Sequence, residues 1–530
     1  MPYAFEDFEL DETRVELRRG GAPVPVEPQV FDLLHLLVSS GDRVVPREEI
    51  FERIWSNRIV SDAALSSRVK DARKAVGDDG KAQRLIRTVH RRGLRFVGEA
   101  REIATAADGT GEGAAPRAAA AVGAAGAGPV ADPFGRPAVA VLPFADRSEA
   151  PSPGLADAVA GELAAALAAW RSFPVIGRNS CNRFRDSALG AREIGAALGA
   201  RYLVEGTVRR AGGRLKVAVA VTDAEADVQL WDERVARDLD ELHEAEEEIA
   251  AQIATLVFPE LEGAEARRAL RQAPGEAGAW ELAIRASWLI GAGPEHFDEA
   301  ERLALRAADL APDWAFPLTL VANARFQRAM QGFSSADSRR AFAPTLEAAR
   351  RALEIDRGSW VAHALSAVGE LWTNRNHERA LLHVERAIAL NPSAPVNYHF
   401  GGCINGFSGD PARARSYQER LFRLDPVYPY RAVIEADLGL WHLLDEEWAP
   451  ADARLSRSQA WDPGYGRAYQ RRIALSGLTG DREAASDAAR RLKSLGMPLN
   501  VETIGATYPF RDPAHAKLFS DGLRRAGAIA

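Results

Sequence analysis

The side chains best suited to chemistry in this 530-residue chain are cationic, and they lie between Val60 and Phe96. Arg68, Lys70, Arg73 and Lys74 recur at helical spacing, and Thr88, His90, Arg91 and Arg92 follow within a short basic strand and turn. Guanidinium forks match phosphate oxygens and guanine edges, whereas lysines act toward phosphates as point charges. The chemistry such a set performs is non-covalent: charge neutralisation and hydrogen bonding on a polyanion. Residues 61–98 hold ten Lys or Arg against four Asp or Glu, a balance of +6, while residues 1–60 hold seven against twelve, a balance of -5. The positive charge is therefore concentrated, although the whole chain carries -7. Concentration on one face is what phosphate binding requires.

Nothing comparable points to a reaction. The sequence has no serine elbow, no glycine-rich phosphate loop and no metal-spaced His/Cys set, so no catalytic residue, cofactor or metal is assigned and the chain reads as a non-enzyme. Asp223 and Glu225 are close, but the end of a hairpin accounts for them. The only cysteines, Cys181 and Cys403, are too far apart in sequence to suggest a disulfide framework or a metal site, which fits a reducing compartment. The N-terminal MPYAFEDFELDE is acidic and unlike a signal peptide. No run of about 18 apolar residues offers a membrane span. The expectation is a cytoplasmic protein.

The elements that must position the basic residues are legible from periodicity. Alternating apolar residues from Tyr3 to Val26 predict a small antiparallel sheet. Pro28 opens a helix through Phe31, Leu33, Leu34, Leu36 and Leu37, stopped by Gly41. Pro46 starts a second helix with Glu48 and Glu49 in its first turn and Phe51, Ile54 and Trp55 on its buried face. Ser61 or Asp62 caps a third, in which Leu65, Val69, Ala72 and Val76 form one buried stripe. Ser67, Lys70 and Lys74 then lie opposite, with Arg68 and Arg73 flanking the stripe. Leu85–Val89, a turn at His90–Gly93 and Leu94–Val97 predict a strand–turn–strand.

This order, with Val60-Ser61-Asp62, Arg73-Lys74-Ala75, Gly77-Asp78-Asp79, Ile86-Arg87-Thr88-Val89, Gly93 and Arg95-Phe96, resembles the OmpR/PhoB-type winged helix-turn-helix regulators over residues 3–98. The resemblance implies double-stranded promoter DNA as partner. It assigns helix contacts to Arg68, Lys70, Arg73 and Lys74, and wing contacts to Thr88, His90, Arg91 and Arg92. It also implies that the loop Ser56–Val60 faces RNA polymerase, and that single domains dimerise or occupy tandem sites. Two residues depart from the family pattern: Asp71 stands where a basic residue is common, and Leu94 replaces a tyrosine. The placement at the head of the chain is like that of CadC- and ToxR-like regulators, without their membrane span or a phosphoacceptor receiver.

Beyond the winged helix (1–100), residues 101–136 read as a flexible Ala/Gly/Pro tether. Residues 137–262 alternate strand and helix signals: Val139–Phe144, a helix through Leu155, Val159, Leu163 and Leu167, a strand at Phe173–Ile176, a helix at Ala191–Leu198, and strands at Tyr202–Val208, Leu215–Thr222 and Gln229–Val235. An acidic helix from Asp240 to about Val257 closes them. This α/β mixed-sheet segment resembles TolB/FlgO-like domains. Glu205, Gly206, Arg209, Trp231 and Arg234 stand out in it, chiefly as packing residues.

Residues 275–530 read as an all-α solenoid. Ala300, Ala380, Ala414 and Ala451 each precede a proline (Pro312, Pro392, Pro426, Pro463) by twelve residues, with the last three prolines 34 and 37 apart. A period near 34 residues resembles tetratricopeptide helix pairs. Their concave face offers a groove for a protein or peptide partner, and Tyr508 to Leu523 reads as a capping segment. The expected architecture is multidomain: an α+β winged helix, an α/β mixed-sheet domain and an all-α tetratricopeptide-type solenoid. The expected function is a sequence-specific bacterial transcriptional regulator. The rival reading is a cytoplasmic tetratricopeptide scaffold whose winged helix does not bind DNA.

Overall fold

The computed structural model describes residues 3–529 apart from 12–15, 21, 25, 27, 42, 47–48, 51–61, 79–82, 90–92, 99, 103–131, 150, 153, 212, 239–241, 272–276, 332–337 and 498–499. The chain divides into two compact units, residues 1–124 and 125–530. The sequence expectations for Phe51, Ile54, Trp55, Ser56–Val60, His90, Arg91, Arg92 and most of the tether lie outside the described residues.

In the first unit, β1 (Tyr3–Phe5), β2 (Phe8–Asp11), β3 (Glu16–Arg19) and β4 (Ala22–Val24) form an antiparallel meander, and Arg101–Glu102 pairs with β1 at its other edge. Its inward residues Phe5, Phe8, Leu10 and Leu17 meet α1 (Pro28–Ser39) through Leu33, Leu34 and Leu37. The next described helix, α2 (Asp62–Ala75), buries Val69 and Ala72, and Val76 just beyond it, in the same core. These are three of the four stripe residues read from the sequence; the side chain of Leu65 is not among those described.

The strands that follow α2, β5 (Ile86–Val89) and β6 (Gly93–Phe96), pair antiparallel. Leu94 exchanges backbone hydrogen bonds with Val45 at 2.7 and 3.0 Å, and its side chain is buried. Gly93 has φ +141, and a Cβ there would stand 1.9 Å from the Val45 carbonyl oxygen. Only glycine fits this close approach.

In the second unit, β8 (Ala138–Val141) runs parallel to β10 (Ala200–Ala211), which continues antiparallel into β11 (Arg214–Asp223) and β12 (Val228–Asp238); here β7 denotes Arg101–Glu102 and β9 denotes Ala145–Asp146, also on β10. Alternate residues face opposite layers. Val139 and Val141 join the core with α3 (Leu155–Trp170), while Ala140 and Leu142 join Ile194 and Leu198 of the helix Ala191–Leu198. Burial on both faces explains why β8 reads as an unbroken apolar run.

Two elements differ from the sequence expectation. Phe173–Ile176 contributes only a bridge between Val175 and Val139, because Pro174 lacks an N–H and Gly177 follows. The closing helix runs from Leu242 to Ala269 and passes through Pro259. An interior proline costs about 3 kcal/mol, but Ile249, Ile253, Val257 and Leu261 are all buried along this helix in the core shared by sheet and repeats. A boundary at residue 262 would cut it. In the packing, residues 125–530 are one unit, whose main core runs from the sheet through the repeats.

Among the described residues, six helix pairs follow, their first members beginning at Ala279, Ala315, Trp360, Pro395, Arg431 and Gly466. Ala300, Ala380, Ala414 and Ala451 are fully buried on the second members, where small side chains let paired helices approach. The last helix, Pro513–Ile529, packs on Gly466–Thr479 so closely that a Cβ at Gly477 would stand 1.9 Å from the Gly522 carbonyl oxygen. Among the described residues, no helix is long and apolar enough to cross a membrane.

Candidate nucleic-acid interface

Helix α2 ends on a glycine in the left-handed region, Gly77 (φ +66), with the Asp78 N–H bonded to the Arg73 carbonyl at 2.8 Å. This is the pattern of a Schellman cap. It turns the buried Asp78 carboxylate toward the start of β5. There it accepts the backbone N–H groups of Arg84, Leu85 and Ile86 at 2.8, 2.9 and 2.9 Å. Three charge-assisted bonds, each stronger than a neutral one, thus tie the end of α2 to the start of β5.

A second tie runs through Arg73. Its guanidinium donates to the Ile86 carbonyl at 3.1 and 2.9 Å and to the Thr88 hydroxyl at 2.9 Å, with only 9% of the residue exposed. Arg73 therefore sits on the buried side of α2 and joins the helix to the strand. Thr88, which stays exposed, receives the bond.

Lys70 and Lys74, one helical turn apart, are exposed. Arg68 is half-buried and lies 3.5 Å from Asp71 on the same helix. The departure at Asp71 thus places a negative charge within the basic row. On the strands, Arg87 stands directly opposite Arg95. Like charges opposed across a strand pair repel, an arrangement that an anion relieves. Arg87 was not singled out in the sequence; its exposure beside Thr88 marks it, and its place in the run Ile86-Arg87-Thr88-Val89 was the available signal.

Of the eight residues assigned from the resemblance, five are described. The structure brings Lys70, Lys74 and Arg68 onto one helix, with Arg73 linking it to Thr88. His90, Arg91 and Arg92 lie outside the described residues.

Residues 21–96 match the family described as "Transcriptional regulatory protein, C terminal". This segment is an OmpR/PhoB-type domain. The chain is similar to the "Phosphate regulon transcriptional regulatory protein PhoB" of Escherichia coli K12, 29% identical over 92 residues, 17% of this chain and 40% of the relative. It is also similar to "Putative adenylate cyclase 3" of Rhizobium meliloti strain 1021, 27% identical over 248 residues, 46% of this chain and 42% of the relative. The chain thus spans less than half the length of either. Among solved structures, a thermophilic TPR protein of Thermus thermophilus is 14% identical with a TM-score of 0.29, covering 41% of this chain and 99% of that one.

Proposed function

We propose that the chain is a DNA-binding transcriptional regulator, with α2 in the major groove, the β5–β6 wing on the backbone, and residues 125–530 as the part that senses a signal, binds a protein partner or self-associates. The observation that carries this reading is the exposed pair Lys70 and Lys74 on a helix that Asp78 and Arg73 tie to β5, within a domain of the transcriptional-regulator family. On this reading, Lys70, Lys74 and Arg87 hold phosphates, Arg68 reaches a phosphate or a base edge, and Arg73 positions the helix. The wing contacts at His90, Arg91 and Arg92, a surface for RNA polymerase at Ser56–Val60, dimerisation, a cytoplasmic location and the absence of enzymatic activity belong to the same proposal.

The test is duplex binding by fluorescence anisotropy at rising salt, with the full chain and a pool of genomic DNA fragments. Replacing both Lys70 and Lys74 with alanine should flatten the salt dependence by roughly two phosphate contacts' worth. Unchanged affinity and slope in that variant, or no fragment bound by the parent, overturns the reading. The Arg68–Asp71 pair and the burial of Arg73 favour a second reading, a repeat-based adaptor, because both withdraw cations from the surface.

A further inference from the structure

The first helices of the helix pairs line a half-open cavity of about 430 Å³, a size typical of small-ligand sites. Its walls come from the helix Leu242–Ala269, from the first helices of the first four pairs and from the start of the fifth, so it lies wholly within residues 125–530. Aromatic rings dominate: Phe258, Phe326, Trp360, Phe400, Tyr428 and Tyr430 all face it. Trp170 stacks on Phe258 at 4.1 Å and meets Trp360 edge-on at 5.5 Å, which fixes two of the faces.

One carboxyl lies in this apolar wall. Glu262 accepts a hydrogen bond from the Ser287 hydroxyl at 2.7 Å, and no cation pairs with it among the described residues. Although the chain holds 67 Lys and Arg, none lines the cavity among the described residues. The imidazole on the wall, His399, is bonded to the Tyr428 hydroxyl at 3.1 Å. Burial lowers its pKa to about 4, so it is uncharged at neutral pH. Desolvation likewise pushes the Glu262 carboxyl up, the direction expected of an acid set among apolar groups without a counter-ion.

A carboxyl half-buried among apolar groups with no cation beside it is costly, and a cation offsets the cost. Aromatic faces attract the same cations through their quadrupoles. Anions meet the opposite situation: no Lys or Arg on the wall among the described residues, an uncharged imidazole, one carboxyl and a set of electron-rich faces.

We propose that this cavity is a binding site for a small organic cation, an amine with an apolar body, whose ammonium pairs with Glu262 and whose body packs among the rings. Asn323 and Gln327, also on the wall, supply hydrogen bonds beside it. Because the cavity joins the sheet-side helix to five helix pairs, occupancy ties the two halves of this unit together. The site stands on residues 170–433 alone, so its test is decided whether or not the winged helix binds DNA.

Three probes with one body and different heads decide it: 4-phenylbutylamine, 4-phenylbutanol and 4-phenylbutanoate, titrated into the full chain by calorimetry and tryptophan fluorescence. The amine should bind about tenfold or more tightly than the alcohol, the gain of a charge-assisted bond to a desolvated carboxylate. The carboxylate probe should bind most weakly. Glu262→Gln should bring amine and alcohol to equal affinity while leaving the alcohol unchanged. Equal binding of amine and alcohol by the parent, tighter binding of the acid, a preference that survives Glu262→Gln, or no binding of any probe overturns the proposal. The head-group series on the parent decides the matter even where the variant fails to fold.

Discussion

Lys70 and Lys74 stand in water on a 14-residue helix, whereas Glu262 lies half-buried among side chains drawn from residues 170 to 433. The two places use charge in opposite ways. On α2, each cation is solvated, its attraction to phosphates is screened by salt, and energy accrues from many weak contacts. In the cavity, a single carboxyl is partly desolvated, and on the proposal above one well-placed cation would meet it at a dielectric below that of water. A surface site of the first kind tolerates the loss of one member. A half-buried site of the second kind depends on one residue and on every element that keeps the walls in place.

The largest expected effect tests that dependence. Glu265, three residues from Glu262 and 1% exposed, accepts the Tyr202 hydroxyl at 2.7 Å and the Trp280 indole N–H at 2.8 Å, and pairs with Arg268 at 3.2 Å. It joins the sheet, the closing helix and the first repeat. Burial and the nearby carboxylate push the Tyr202 hydroxyl up, which keeps it a donor. Glu265→Ala strands these donors and should cost roughly 3–5 kcal/mol in the transition of residues 125–530, read by urea denaturation. Amine binding should fall with it, whereas the salt slope for duplex DNA should hold. A loss below about 1 kcal/mol would mean that these walls do not rest on the Glu265 network.

A second effect separates the regions by pH. His377, His383 and His399 all belong to the repeats, and burial lowers each to about 4 from an ordinary 6.5. In the unfolded chain they titrate near 6.5, so between that pH and 4 the unfolded state binds more protons. The stability they contribute is full above about pH 6.5 and is lost as pH falls toward 4. For a unit of this size, the melting midpoint should drop by roughly 5–10 °C across that window, allowing for partial exposure. A midpoint independent of pH there would mean the imidazoles are not enclosed.

Legibility followed the same division. The basic row, the α2 stripe and the wing could be read because a local period carries them: Val69, Ala72 and Val76 are buried at the expected spacings. The repeats could be read because Ala300, Ala380, Ala414 and Ala451 keep a fixed distance from a proline. Glu262 carries no such signal. It lies in an acidic stretch where a carboxylate looks like solvated surface, and its aromatic neighbours are scattered over more than 250 positions. Arg73 was legible as a cation but not as a tie to Ile86 and Thr88, since the strand that receives it is thirteen residues away. The continuation of the closing helix through Pro259 was hidden because proline ordinarily stops a helix, and only packing on both sides outweighs it.

Within the first unit, a finer contrast distinguishes position from contact. Arg73→Ala removes three hydrogen bonds between helix and wing, so it should lower the stability of that unit by roughly 1–3 kcal/mol and weaken DNA binding through misplacement. Arg73→Lys should not restore either, because one ammonium cannot reproduce the fork. Lys74→Ala should leave the melting curve in place and reduce the salt slope by about one. If both variants behave alike, the division between a positioning arginine and a contacting lysine fails.

The smallest effect concerns Asp71. Its pair with Arg68, at 3.5 Å and half exposed, is worth less than about 1 kcal/mol to the fold. Asp71→Ala should therefore change stability by no more than roughly 0.5 kcal/mol. At the DNA face, however, a carboxylate within the basic row repels phosphates and holds one guanidinium away from them. Its removal should tighten duplex binding a few-fold at low salt, with the gain shrinking as salt rises, since a screened interaction is being removed. Tighter binding spread evenly over all fragments would assign Arg68 to phosphate. Tighter binding confined to particular fragments would assign it to a base edge, where a bidentate contact discriminates by roughly 1–3 kcal/mol. Weaker binding would show instead that Asp71 orients Arg68 toward the duplex, and α2 would then share with the cavity the device of a carboxylate placed to receive a cation.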